Sequence, residues 1–285
     1  MGQPLSSLDN ALQILGLLGP ARPVLRVGEV CRELDIPKSS VSRLLKTMGE
    51  HGLLERERGD LGYVVGRRAL ELADLYVSRH TLLDLIDLTI DRIVLRFGFA
   101  GYAGVLSGRE LVVLRVKHGS YPLRLVQQVG TRLPSFDTAI GRALLSRLPE
   151  DEADDAFSSG DGPAASERRD ELDRVYRCGL AGTANAVIPG IAALGVGLAA
   201  PDGREALGFS VSYPTGAVTP AQEREMAIWL REEAAAIAAR IGDPYWAGRT
   251  TAPLELVPAA AASPIASSPK TPKPRGRERA VANSP

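Results

Sequence analysis

The segment that most restricts the fold of this 285-residue chain is residues 24–65, where helical periodicity is followed by a proline turn and a short hairpin. The segment reads as two short helices, a third longer helix and a tight β-hairpin. In its first part, apolar residues recur at the spacing of one helix face; they are Leu25, Val27, Val30 and Leu34. Asp35-Ile36-Pro37 then turns the chain, and Pro37 suits the first position of a new helix beginning near Lys38.

The helix that begins near Lys38 is predicted to be amphipathic. Its apolar face holds Val41, Leu44, Leu45 and Met48, and its opposite face is polar and basic, with Lys38, Ser39, Ser42, Arg43 and Lys46. Gly52 ends the helix, and residues 53–56 and 62–65 read as two strands joined by a turn. This order of helix, turn, helix and hairpin predicts a winged helix-turn-helix, a fold that binds DNA.

The polar face of this helix supplies the residues predicted to contact DNA. Those expected to read bases or to position phosphates are Ser39, Ser40, Ser42 and Arg43. Arg43 is expected to discriminate most between sequences, because a guanidinium can make a bidentate contact with guanine. The residues expected to bind phosphates are Lys38 and Lys46 on the helix and Arg56 and Arg58 in the wing. A solvated surface is the alternative for any basic helix face, but the proline turn and the wing favour DNA.

Charge restricts how the chain can hold DNA. Lys plus Arg and Asp plus Glu number 34 each, so the whole protein has no strong field for nucleic acid or an anionic membrane. Between Pro20 and Arg68 there are ten basic and seven acidic residues. This small local surplus indicates that two copies act together on two half-sites.

Other features argue against catalysis, metal binding and export. Cys31 and Cys178 lie far apart and match no ligand spacing, so neither a disulfide framework nor a zinc site is expected. The three histidines have no nucleophile or ligand partner at useful spacing, and no Walker-type glycine loop is present. Neither a signal peptide nor a membrane-spanning apolar run is evident. We therefore expect a cytoplasmic protein that is not an enzyme and needs no cofactor.

The elements next to the helix-turn-helix are predicted to be helical. A helix capped by Ser6 or Ser7 precedes it, with apolar positions Leu8, Leu12, Leu15 and Leu18. Residues 67–78 read as a linker helix, and residues 81–97 as a second helix close behind it.

From residue 99 the period changes to that of strands. Strands are predicted at 99–106, 111–118, 121–129, 192–200 and 206–212, and helices at 138–148, 168–177 and 219–241. A sheet with helices at both ends indicates an α+β sensor-like domain. Beyond Gly242 the composition shifts to Ala, Pro, Ser and Thr, which predicts a disordered tail over residues 243–285. Its basic residues are expected either to attract phosphates weakly or to have no role.

Over residues 6–242 the chain resembles the IclR family of bacterial transcriptional regulators. The resemblance rests on DNALQILGLLG, on SSVSRLLKTMGEHGLLER, on VGTRLPSFDTAIGRALLSRLPEDE and on VIPGIAALGVGLAAPDGREALGFSVSYPTGAVT, in that order and spacing. It implies a winged helix-turn-helix domain over residues 1–66, a linker helix over 67–80 and a GAF-like α/β effector-binding domain over 81–242. It also implies dimers or dimers of dimers, and regulation rather than catalysis.

The resemblance also implies an effector pocket. The residues that match its positions are Leu123, Leu125, Ala139, Ile140, Thr183, Asn185, Ala193, Ser210 and Ser212, with Thr138 at the start of the adjacent helix. Thr183 and Asn185 are expected in the loop after Gly179. Ser210 and Ser212 share one face of their strand, opposite Phe209, Val211 and Tyr213. Thr138 is expected to cap its helix or to contact the ligand, and backbone amides there are a further candidate for a ligand carboxylate.

The chain departs from the family pattern in three ways. Members that hold small carboxylates usually carry an acidic pair where this chain has Thr183, Ala184 and Asn185, and often a cysteine at Ala193. Family members also usually carry a lysine at Arg142. The less polar site here favours a flat, partly apolar effector such as an aromatic acid or its derivative. Each apolar pocket residue taken singly is better explained by the hydrophobic core, and the two serines are equally well explained by solvent exposure.

The sequence therefore predicts a ligand-responsive regulator that represses a catabolic operon. Its predicted partners are a palindromic double-stranded operator, a small-molecule effector and one or three further copies of the chain. Residues 67–78 would transmit the effect of the ligand. The alternative is a small-molecule binding or modifying protein whose N-terminal domain contacts other proteins.

Overall fold

The computed structural model describes residues 6–19, 22–57, 59, 61–77, 81–122, 127–155, 165–203 and 205–254. The N-terminal part forms three helices and a hairpin: α1 (Ser7–Gly16), α2 (Val27–Leu34), α3 (Lys38–Glu50), β1 (Leu54–Arg56) and β2 (Tyr63–Val65). Ser6 caps α1 in a capping box with Asp9, as predicted. Pro37 is the N-cap of α3 rather than its first residue.

The small domain has its own hydrophobic core. Its buried residues come from every element and include Ile14, Leu25, Val30, Val41, Leu45, Leu54 and Tyr63. The prediction of two short helices before the longer helix is wrong, because α2 is the only helix that the described residues form between residue 24 and α3. Leu25 precedes α2 in extended backbone and pairs with Tyr63 through two backbone hydrogen bonds of 2.8 Å. Leu25 therefore joins the hairpin to the helices.

Two helices lead out of the small domain. They are α4 (Arg67–Val77) and α5 (Thr81–Phe97), close to the predicted bounds. α4 exposes Leu70, Leu72, Leu75 and Tyr76, with Leu70 73% exposed. α5 instead buries Leu82, Leu83, Ile86, Ile90 and Ile93 in the core of the larger domain.

The larger domain is built on a six-stranded antiparallel sheet. Its strands are β3 (Ala100–Ser107), β4 (Glu110–Lys117), β5 (Arg132–Pro134), β6 (Ala181–Ala184), β7 (Ile191–Ala199) and β8 (Ala206–Pro214). They lie in the order β5-β4-β3-β8-β7-β6. Its remaining helices are α6 (Ala139–Leu145), α7 (Glu150–Asp155), α8 (Ala165–Cys178) and α9 (Pro220–Ile241). Short β5, β6 and α7 were not predicted.

The two faces of the sheet have different neighbours. α5 and α9 cover one face, where Phe209, Val211 and Tyr213 lie in the main core, as the alternation of β8 predicted. α6 covers the other face and packs Ile140 and Leu144 against residues of β3 and β4. None of the helices in the described ranges is long and apolar enough to cross a membrane.

The chain beyond α9 folds back onto the domain. Residues 244–246 and 249–251 form short 3-10 helices, and Trp246 is buried with its indole Nε1 donating to the Gly197 carbonyl at 3.0 Å. The prediction of a disordered tail directly after Gly242 is therefore wrong for residues 243–254. Specific contacts of Asp243 and Trp246, which composition does not reveal, order this segment. The rest of the predicted tail, and residues 123–126 of the predicted strand at 121–129, lie outside the described residues. Residues 121–122 and 127–129, which are described, form no strand, so that part of the strand prediction is wrong.

Candidate functional sites

α3 presents a polar, basic surface on the small domain. Its residues Val41, Leu45 and Met48 are buried, whereas its opposite face exposes Lys38, Ser39, Ser42, Arg43 and Lys46. Ser40 is half-buried. Lys46 pairs with Glu50 at 3.6 Å, and within the described part of the chain no hydrogen bond or ion pair engages Arg43. The Arg43 guanidinium is therefore available to a partner.

The hairpin beside α3 is stabilised by one of its own arginines. The Arg56 guanidinium lies 4.2 Å from the centre of the Tyr63 ring and donates to the Leu61 carbonyl at 3.1 Å. Arg56 thus stabilises the hairpin while staying exposed, so its predicted contact with phosphate remains a prediction. Arg58 lies outside the described residues.

The larger domain contains a cavity between α6 and the sheet. Seven of the residues predicted for an effector pocket line it: Thr138, Ala139, Ile140, Thr183, Ala193, Ser210 and Ser212. The structure therefore brings together residues that are up to 74 positions apart in the chain. Leu123 and Leu125 lie outside the described residues.

Two predicted pocket residues are placed differently from the expectation. Thr183 lies on β6 rather than in a loop, because residues 181–184 pair with β7. Asn185 does not line the cavity: its side-chain oxygen accepts from the Gly190 backbone N–H at 2.6 Å, and its backbone is left-handed with φ of 57°. Asparagine tolerates that conformation, so Asn185 closes the turn after β6.

Close approach of α6 to the sheet forms one wall of the cavity. A Cβ at Gly195 on β7 would come within 2.8 Å of the Ala139 carbonyl carbon and 2.9 Å of the Ile140 nitrogen. Glycine at this position therefore permits α6 to lie against the strands. Thr138 caps α6 by accepting from the Gly141 N–H at 2.9 Å and donating to the Ser135 carbonyl at 3.0 Å. Its hydroxyl is thus used within the protein, which supports the capping role.

Several residues that line the cavity were not predicted from the sequence. They include Tyr102, Leu111, Val113, Gln127, Leu133 and Ile188. Tyr102 lies directly opposite Ser210 in the pairing of β3 with β8, so the two side chains share a face of the sheet. Strand alternation around Ser210 was a usable signal, but it required knowing that β3 is the neighbour of β8.

Arg142 on α6 does not line the cavity. Its Nε donates to the Phe136 carbonyl at 2.7 Å, and one terminal nitrogen lies 3.2 Å from both a Glu171 carboxylate oxygen and the Gly182 carbonyl. Burial lowers the pKa of Arg142, while the Glu171 carboxylate opposes that shift. This arginine therefore links α6, α8 and β6.

Two family models match the chain. "IclR helix-turn-helix domain" matches residues 7–58, and "Bacterial transcriptional regulator IclR C-terminal" matches residues 74–239. The chain therefore belongs to the IclR family, with an N-terminal helix-turn-helix domain and a C-terminal α/β domain.

Individual relatives are distant. The HTH-type transcriptional regulator XynR of Escherichia coli is 28% identical over 52% of this chain and 59% of its own length, and KdgR of the same species is 25% identical over 83% and 94%. The first three curated relatives are matched over 54–59% of their own length. An IclR homologue from Microbacterium hydrocarbonoxydans, solved with 4-hydroxybenzoate, has a TM-score of 0.72 at 20% identity and covers 83% of this chain and 99% of its own. At this identity the likeness concerns the fold.

Proposed function

We propose that this protein is a ligand-responsive transcriptional regulator that binds a palindromic operator and represses a catabolic operon. The observation that carries the proposal is the exposed face of α3, with an unengaged Arg43, beside a braced hairpin in a member of the IclR family. The side chains proposed to contact DNA are Lys38, Ser39, Ser40, Ser42, Arg43, Lys46, Arg56 and Arg58. Its proposed place of action is the cytoplasm.

A second copy of the chain is the proposed partner of α4. An isolated helix of 11 residues is marginal in water, yet α4 exposes three leucines and a tyrosine. α1 adds exposed Leu8 and Leu12. Pairing through these side chains would remove them from water and place two copies of α3 on two half-sites, which offsets the weak charge surplus of one copy.

The cavity is the proposed effector site. Its lining is mainly aliphatic and carries a few hydroxyl and amide groups, a composition that suits a flat, partly apolar molecule such as an aromatic acid or its derivative. The Microbacterium homologue with bound 4-hydroxybenzoate supports an aromatic effector. An effector can alter DNA binding only if it binds two arrangements of the dimer with different affinity. We propose that α4 transmits this difference.

Selection of genomic DNA fragments by the purified full chain tests the regulator proposal. We expect enrichment of a palindromic site beside genes for breakdown of an organic compound, and loss of that enrichment for the Arg43→Ala variant. If no site is enriched even at low salt, the regulator proposal fails. The alternative, a small-molecule binding or modifying protein with an N-terminal protein-interaction domain, would then be preferred.

Replacing both Ser210 and Ser212 with alanine should weaken effector binding by about tenfold, because each hydroxyl offers a hydrogen bond with a net value near 1 kcal/mol, partly replaced by water. Calorimetry with the tightest-binding member of a panel of substituted benzoates and benzamides measures the change. Ser146→Ala is the matched control, since Ser146 follows α6 and bonds to the Ala143 carbonyl away from the cavity. Equal affinity in the double variant and the control would show that these serines do not bind the effector.

A further inference from the structure

Tyr102 holds a buried polar atom that the fold leaves without a partner. The residue is 6% exposed and lines the cavity from β3. Within the described part of the chain, its hydroxyl has no hydrogen-bond partner. Buried hydroxyl groups in folded proteins are nearly always bonded, so an unpartnered donor on a side chain that lines a cavity is a candidate contact for a ligand atom.

The surroundings of this hydroxyl define what it can bind. Ser210 lies directly across from Tyr102 in the sheet, and Ser212 lies two residues further along β8. Leu111 and Val113 from β4 and Ile140 from α6 supply apolar surface on the same side of the sheet. The ligand therefore meets a small polar cluster next to an aliphatic wall.

No Asp, Glu, Lys, Arg or His is found among the described residues that line the cavity. The arginine of α6 is engaged with Phe136, Glu171 and Gly182 outside it. Burial raises the pKa of Tyr102 to about 12, so its hydroxyl stays protonated and remains a donor near neutral pH. A carboxylate placed here would lose its hydration, and no described lining residue supplies a cation to compensate, whereas a carbonyl would lose little.

We propose that the effector is an uncharged aromatic carbonyl compound, such as an amide, ester or ketone, and that Tyr102 selects it by donating a hydrogen bond to the carbonyl oxygen. Ser210 lies beside that oxygen. The inference rests on the proposed function to the extent that the cavity is the effector site. It narrows the proposed effectors from aromatic acids and their derivatives to the uncharged derivatives.

Calorimetry on the full chain tests the preference for an uncharged carbonyl. It uses three pairs of compounds, each a ring-substituted benzamide and the matching benzoate. Within each pair the two compounds have nearly the same shape and differ in charge at pH 7.5. We expect the benzamides to bind at least about tenfold more tightly than the benzoates, with an affinity that is constant from pH 6 to 9. Tyr102→Phe should weaken benzamide binding by about tenfold, since it removes one buried hydrogen bond.

Tyr121→Phe is the matched control, because Tyr121 is 41% exposed, contacts the Phe99 ring and does not line the cavity. Tyr102→Phe removes an unsatisfied hydroxyl, so its melting temperature should equal or exceed that of the wild type. Benzoates binding as tightly as benzamides, unchanged benzamide affinity in Tyr102→Phe, or no binding by any pair would each overturn the inference. Because no DNA is present, these outcomes are separate from failure of the operator selection.

Discussion

Replacing Asp243 with alanine should lower the free energy of unfolding of the C-terminal domain by about 3–5 kcal/mol, because it leaves the largely buried guanidinium of Arg147 without its carboxylate partner. Arg147 binds both carboxylate oxygens of Asp243, at 2.7 and 2.8 Å, and the Asp243 side chain is 1% exposed. The same carboxylate accepts from the backbone N–H of Ala199 at 2.9 Å and of Tyr245 at 3.2 Å. It therefore ties the segment after α9 to the end of β7.

Urea titration followed by tryptophan fluorescence measures this change. The two tryptophans, Trp229 and Trp246, lie in the C-terminal domain, so the signal reports on that domain. Glu110→Ala is the matched control, since Glu110 pairs with Arg132 at 2.9 Å but both side chains are about half exposed; its cost should stay below about 1 kcal/mol. If the two variants lose similar amounts of unfolding free energy, burial of the Arg147–Asp243 pair contributes little to stability. In the double variant Arg147→Ala, Asp243→Ala, we expect a cost smaller than the sum of the two single changes.

Replacing Arg43 with alanine should weaken operator binding by a symmetric dimer by about 2–6 kcal/mol, which is about 1–3 kcal/mol at each half-site. The physical reason is loss of a bidentate contact in the major groove. The fold should remain intact, because Arg43 is exposed and no described residue bonds to it. Fluorescence anisotropy with the selected operator, at several salt concentrations, measures the loss.

Two comparison variants show whether a loss of affinity comes from a base contact. Lys46→Ala should weaken binding to all sequences alike and reduce the salt slope by about two, as expected for one phosphate contact at each half-site of the dimer. Arg132→Ala, which removes an exposed charge from β5 of the C-terminal domain, should leave operator affinity unchanged. If Arg43→Ala leaves operator affinity unchanged, as Arg132→Ala should, then Arg43 does not contact the operator, and the proposed DNA-binding face of α3 is wrong.

Local sequence patterns were sufficient to predict the elements that are proposed to bind DNA. The stripe of Val41, Leu45 and Met48 is buried as its spacing predicted, because helical periodicity alone decides which side chains share a face. Capping by Ser6, Thr138 and Thr219 was also predictable, since a cap bonds to an N–H only a few residues away. Such interactions need no knowledge of distant parts of the chain.

The cavity was predictable only in part. Alternation along β8 placed Ser210 and Ser212 on one face, and resemblance to the family placed the α6 residues beside them. Tyr102 was missed because its role depends on β3 pairing with β8, which lies more than 100 residues later. The fit of α6 above Gly195 likewise depends on a contact between distant segments.

The sequence by itself determined the two kinds of domain, the amphipathic face of α3 and the alternation of the long strands, because each depends on neighbours within a few residues. Tertiary structure alone decided which side chains meet. It paired Arg147 with Asp243, 96 positions apart, ordered residues 243–254 that composition had indicated to be disordered, and left the Tyr102 hydroxyl buried without a partner among the described residues. Buried polar groups are satisfied or left unsatisfied by partners that packing supplies, and packing is a property of the whole chain.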